Sequence, residues 1–452
     1  MRHGPGSRLL FLLILFVSLL VAVAAEAEDE IFVPNVSANS VTVYSRTANG
    51  NAAPLRTIAG ASTFLNGPVA VAVDLLHNEL FVVNGGNNSV LVHGRTASGD
   101  AAPFRILSGP ATGLSAPVAI AVDLLHNELV VLNSGPPSIT VYSRNAGGNS
   151  SPLRTIQGPA AGLNNVGGLA LDLAHDEIFV ANRANTVTVY SRTADGNAAP
   201  LRTLAGAATG LSGPTGLALD FAHDELAVAN ADAASVTVHA RSASGNTAPL
   251  RTLSGLATGL GRAVGVAVDL KSSELIADSF DGQAVLVYPR TASGNAAPLR
   301  KIQGAATGLS GPSGLALTPQ LGVMAATNQK TFTAGQTLTV TVGVLNPGLP
   351  ANVDVFIGLF FPPDRLMFIV PGGTANGLAS NLSTIRPIAA GVSLTPPLTV
   401  IVPNFFSYTF TGNDPHGNYA VFFLVANAGS LVDDILNVED IVAFEVTPLF
   451  VP

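Results

Sequence analysis

The sequence predicts an all-β chain: a six-bladed β-propeller closed by N- and C-terminal strands of one blade, followed by a separate β-sandwich. Three observations carry this. Asp74, Asp123, Asp172, Asp220 and Asp269 recur at steps of 49, 49, 48 and 49 residues, and strand-like segments repeating every ~40 to 50 residues mark a propeller array. Val, Ile, Leu and Thr fill the runs between turns, and 46 Gly and 30 Pro punctuate them, as short strands joined by tight turns require. The copies are also cut unevenly by the two ends of the repeat region, which implies a shared blade.

The unit is clearest in Val69–Asn84, Ser89–Arg95 and Pro103–Gly109. Its first segment is rich in Ala, Gly and Val, the small residues needed where strands crowd around a central channel. Its third alternates in strand fashion, as in Thr186-Val-Thr-Val-Tyr190, so that hydroxyl and apolar side chains point to opposite faces. The turn between third and fourth strands is Thr193-Ala-Asp-Gly-Asn-Ala-Ala-Pro200 or a close copy, with Gly and Asn where positive φ is tolerated.

Before the first complete copy, Glu30–Asn35, Ser40–Arg46 and Pro54–Gly60 match the second, third and fourth segments, with no first segment ahead of them. Five complete copies follow, their first segments beginning near Val69, Val118, Gly168, Thr215 and Val264. The missing segment then turns up as Gly311-Pro-Ser-Gly-Leu-Ala-Leu-Thr318. Three strands from one end and one from the other complete a sixth sheet, and sharing it seals the ring with hydrogen bonds.

The pattern Gly213-Pro-Thr-Gly-Leu-Ala-Leu-Asp220 followed by Glu225-Leu-Ala-Val-Ala-Asn230 resembles the NHL and related YVTN-type repeats of bacterial secreted β-propellers. The resemblance spans residues 28–320. It implies a propeller fold but no single activity, since such families include scaffolds, ligand binders and a minority of enzymes.

Residues 1–27 read as an export signal peptide. Arg2, His3 and Arg8 form a basic start, Leu9 to Val23 an apolar core and Ala25-Glu26-Ala27 a cleavage site. The alternative is a retained anchor, for which the apolar run is at the short edge of a spanning length. No later segment is long and apolar enough to span a bilayer, so the mature chain is expected to be secreted, periplasmic or on the cell surface. Beyond Pro319 the period stops, and residues 325–452 carry new strand candidates in Gln336–Asn346, Val353–Phe360, Phe406–Phe410, Tyr419–Val425 and Ile441–Val446. Their number and spacing suggest an immunoglobulin-like β-sandwich serving adhesion, docking or capping.

Composition limits the chemistry. A net charge of −8 provides no basic stripe for a phosphate backbone, so no nucleic-acid partner is expected. With Cys 0 there are no disulfides, no thiol nucleophile and no thiolate metal site.

The motif Asp-x-x-His-(Asn/Asp)-Glu recurs at Asp74/His77/Glu79, Asp123/His126/Glu128, Asp172/His175/Glu177 and Asp220/His223/Glu225, with Asp269, Ser272 and Glu274 in the fifth copy. These are metal-ligating residue types, yet each set falls in a hairpin turn where Asp can accept backbone N–H groups, and equivalent turns in a ring stand apart. Arg46, Arg95, Arg144, Arg192, Arg241 and Arg290 end the third strands, and Arg56, Arg105, Arg154, Arg202, Arg251 and Arg300 sit in the fourth. They either form a basic girdle or pair with nearby carboxylates. The acidic run Asp433-Asp434 with Glu439-Asp440 reads as a calcium ligand set or as a solvated loop. No Gly-x-Ser-x-Gly elbow, His-Glu-x-x-His or phosphate loop is present, so no catalytic residue, metal or cofactor is assigned.

Asn84, Asn133, Asn182 and Asn230 end second strands, as Asn35 does, and open the loops in which the copies diverge. They either build a polar ring for a ligand or cap the turn. Within those loops Arg183, Asp232, Phe280 and Asp281 are the candidate ligand contacts, because variable loops on a rigid scaffold are where binding usually resides. The expected function is therefore a secreted, non-catalytic binding or scaffolding protein with a protein or carbohydrate partner. The alternatives are a lactonase-like, metal-dependent hydrolase or lyase at the channel mouth, and a structural surface or matrix component.

Overall fold

The computed structural model describes residues 29–318, except positions 76, 125, 174 and 222, and beyond them the backbone of strands between Gly322 and Val451. The signal segment and the acidic run at 433–440 lie outside the described residues apart from a short strand backbone, Ile435–Leu436. The chain divides into two compact units, one of them Asp29–Pro319.

That unit is a six-bladed propeller of six four-stranded antiparallel sheets. The closure blade joins Ala316–Leu317 to Glu30–Asn35, Ser40–Ser45 and Arg56–Ile58, in that order from the inside. Ile31 faces Leu317 and Phe32 faces Ala316, so the ring is shut by the predicted pairing. The fifth full copy contributes Val266–Asp269, Glu274–Ser279, Ala284–Pro289 and Arg300–Ile302 and borders this seam.

The core lies between blades. Phe32, Val41, Val43 and Ile58 of the closure blade pack with Val71, Leu80, Val82 and Leu91 of the next blade. Ile31, Val33 and Tyr44 of the same sheet turn the other way onto Ile276, Val285 and Val287. Period-two side-chain alternation serves both neighbours, which is why every residue of Glu30–Asn35 and Glu79–Asn84 is buried. Near the channel the backbones themselves touch. A Cβ on Gly216 would stand 2.5 Å from Val264 O, and one on Gly168 2.0 Å from Thr215 O, so only glycine fits there.

The outer edges are covered as well. The turn of each blade's outer hairpin pairs in parallel with the fourth strand of its neighbour, as Gly99 does with Ile58 and Gly148 with Leu107, which blunts the exposed edges expected of separate sheets.

Within the second unit the strands form an antiparallel sheet of Gly322–Thr327, Thr337–Asn346 and Leu398–Thr409, and a larger one built around Ala351–Phe361, Gly417–Asn427 and Ile441–Val451.

Candidate functional site

Strand polarity sorts the chemistry-bearing residues onto two rims. The first-to-second and third-to-fourth turns share one rim, where the periodic charges meet. All twelve periodic arginines pair with carboxylates there. Each fourth-strand arginine bonds its own blade's glutamate, as Arg105 does Glu79 at 2.6 Å and Arg251 does Glu225 at 2.6 Å. Each third-strand arginine reaches back across the blade boundary: Arg144 to Glu79 at 2.7 Å and Asp74 at 3.2 Å, Arg241 to Asp172 at 3.0 Å, Arg290 to Glu225 at 2.9 Å and Arg46 to Asp269 at 2.7 Å. The side-chain bonds from Arg154, Arg202 and Arg251 hold the carboxyls of Glu128, Glu177 and Glu225 below their usual range, outweighing the opposing effect of burial. The guanidinium groups are thereby spent within the protein.

The recurrent histidines are spent too. Asp74 Oδ1 accepts the His77 N–H at 3.0 Å while its Oδ2 lies 2.8 Å from His77 Nδ1, and Asp123 does the same for His126. Among the described residues no group of three or more His, Asp and Glu side chains could hold a metal ion.

The opposite rim carries the second-to-third loops. Asn84, Asn133, Asn182 and Asn230 end their strands there, and all four are fully buried. Their Oδ1 atoms accept the backbone N–H of Asn66, Ser115, Asn164 and Ser212, at 2.9 to 3.1 Å. Their Nδ2 groups donate within the same blade, to Phe64 O for Asn84 and to Thr140, Thr188 and Thr237 Oγ1 for the others. Each amide ties the second strand to the approach of its own inner strand.

Arg183, Asp232, Phe280 and Asp281 lie on this rim in three consecutive blades. Arg183 Nη2 is 3.8 Å from Asp232 Oδ1, with side chains 38% and 62% exposed, a weak surface pair. Phe280 is covered on one face by the guanidinium of Arg262, 3.9 Å from the ring centroid. Asp281 is exposed.

Beneath them sits a group whose burial sequence reasoning did not anticipate. Asp278 is fully buried, its Oδ1 accepting from Val264 N at 2.9 Å and Gly265 N at 2.8 Å, while Oδ2 has no hydrogen-bond partner. Burial pushes its carboxyl up to about 7. Arg262 was also absent from the sequence-based candidates. The signal was available, because the corresponding residue is Gly67, Ala116, Asn165, Gly213 and Gly311 in the other copies.

No family model matches the chain, and no curated protein does. Solved structures similar to it include the nidogen/laminin complex (TM-score 0.46, 13% identity, covering 64% of this chain and 98% of that one). Another is a functionally unknown protein from Desulfotomaculum acetoxidans DSM 771 (TM-score 0.44, 14% identity, 78% and 95% covered). A third is the WD40 β-propeller domain of Doa1 (TM-score 0.37, 14% identity, 71% and 94% covered). These are similarities of fold.

Proposed function

We propose that the chain is a secreted, NHL-type, non-catalytic binding or scaffolding protein, whose second-to-third-loop rim takes a protein or carbohydrate partner. On this reading residues 1–27 are a cleaved signal, residues 28–320 the propeller and residues 325–452 an immunoglobulin-like β-sandwich that docks or caps. The observation that carries it is the contrast between rims. One rim has its twelve arginines internally paired and repeats copy after copy, whereas the other presents Arg183, Asp232, Phe280 and Asp281 in loops that differ from blade to blade. A rigid closed ring with one variable rim is suited to recognition.

The test is a protein and glycan binding screen with chain purified from the extracellular fraction, repeated with Arg183→Ala, Asp232→Ala and Phe280→Ala. A partner whose binding falls at least about tenfold in one of these variants, with folding intact, supports the rim as the binding surface. Partners insensitive to all three, or mass spectrometry showing uncleaved protein retained in the cytoplasm, would overturn the reading.

A further inference from the structure

The fifth full copy departs from the others at one corner, and the repeat itself is the control. Where it has Arg262, the other five copies have small residues or Asn, all with φ between 44° and 65°. Where it has Asp278, they have Pro34, Val83, Leu132, Ala181 and Ala229; where it has Ser279, each has Asn. Its second-to-third loop begins with Phe280, the one aromatic residue in those loops. Five blades build the same fold without any of these, so folding does not require them.

The departures form one assembly. Asp278 Oδ1 grips Val264 N and Gly265 N just after Arg262. Ser279 Oγ accepts Gly261 N at 2.8 Å just before it, and Gly282 N at 3.3 Å. Phe280 N donates to Arg262 O at 3.0 Å. Held from both sides, Arg262 stacks on Phe280. Of the fourteen arginines within residues 29–318, thirteen have a carboxylate within 4 Å among the described residues, and Arg262 has none. Stacking immobilises the guanidinium and leaves its in-plane N–H donors, which match a carboxylate in bidentate geometry.

We propose that Arg262 on its Phe280 platform is a receptor for an Asp or Glu carboxylate presented by a protein segment. The proposal rests on the recognition role of this rim and names its ligand chemistry. Two observations favour a protein segment over an acidic polysaccharide. The stacked guanidinium occupies a face of Phe280 that a sugar ring would need. The chain's net charge of −8, with Asp232 and Asp281 exposed on the same rim, repels a polyanion, whereas a single carboxylate among neutral or basic neighbours meets only the local cation.

The experiment pans a random dodecamer peptide display library against the full chain and resynthesises the selected peptides, each with a copy in which its acid is replaced by the amide. Affinities are compared for wild type, Arg262→Ala and Lys271→Ala, the last removing an exposed cation from the first-to-second turn on the opposite rim. Ala116 occupies the Arg262 position in another blade, so Arg262→Ala is compatible with the fold, which circular dichroism verifies. The expected result is acid-bearing peptides that bind wild type and the Lys271 variant alike. Their affinity drops about tenfold or more with Arg262→Ala and equally with acid-to-amide replacement. Peptides that bind this rim but ignore Arg262 overturn the inference and leave the recognition role standing. Polygalacturonate binding that depends on Arg262, without peptide binding, overturns the protein occupant. No binding of either probe overturns both.

Discussion

Arg46 Nη1 stands 2.7 Å from Asp269 Oδ2 across the seam between the last blade and the closure blade, and the two side chains are 5% and 2% exposed. This pair completes the circle of boundary-crossing arginines at the point where the chain's ends meet. Arg46 also donates to Thr318 O at 2.5 Å, so one guanidinium ties a blade's turn, its neighbour and the closing strand together.

Arg46→Ala is therefore expected to destabilise the propeller by about 3 to 5 kcal/mol, because it leaves Asp269 buried and unpaired. Adding Asp269→Asn should recover part of the loss. Urea denaturation of the two variants and the double variant measures the coupling, and additive losses would count against it.

The seam also depends on Thr318 N, which donates to Glu30 O at 3.1 Å. Thr318→Pro removes that donor and the hydroxyl that accepts from Glu30 N at 3.0 Å, and is expected to cost about 1 to 3 kcal/mol, seen as a lowered Tm and faster proteolysis. A proline variant as stable as wild type would mean the pairing does not close the ring.

Two buried histidines give a stability slope in mild acid. Tyr44, Tyr142, Tyr190 and Tyr288 send their hydroxyls to carbonyls between blades, while His93 and His239 take the same third-strand position, fully buried. Burial lowers both to about 4, from 6.5. Between those values the unfolded chain binds protons that the folded chain does not, so stability is full above pH 6.5 and falls as pH drops toward 4. The double variant His93→Tyr/His239→Tyr, whose hydroxyls would reach toward Thr63 O and Thr209 O by repeat equivalence, is expected to gain on the order of 1 kcal/mol per site at neutral pH and more at pH 5. Melting curves across that range read both effects.

Asp278 has the opposite sign. Its carboxyl is raised from 3.8 to about 7, so the folded chain binds the extra proton in that window and stability declines as pH rises through it. Asp278→Asn keeps an oxygen for Val264 N and Gly265 N without the charge. It is expected to stabilise by on the order of 2 kcal/mol at pH 8 and to change little at pH 4. Equal effects at both pH values would exclude the buried charge as the cause.

Much of the fold could be read in one dimension because a repeat states the same pattern several times. The Asp74-to-Asp269 series reports the period, and the displaced segment Gly311–Thr318 reports the closure, since its only matching vacancy is inside Glu30–Asn35. The roles of the arginines were only half legible. Alternation places Arg105 beside Glu79 in one sheet, but nothing along the chain brings Arg144 to Asp74, 70 residues away. The four Asn residues were recognised as strand-ending amides, while their complete burial depended on loops entering from preceding blades. His93 and His239 stand where other copies have tyrosine, a signal that the sequence carried and its reading did not take up, and their protonation depends on burial.

By itself the sequence determined what repeats: six sheets, their strand order, and the residue types at each turn, because local hydrogen bonding and alternating burial act within a few residues. Only the tertiary structure decided which charges are neutralised and which remain available, because that depends on distances between adjacent blades. Arg46, Arg95, Arg144, Arg192, Arg241 and Arg290 find a carboxylate across such distances, and Arg262 finds the ring of Phe280.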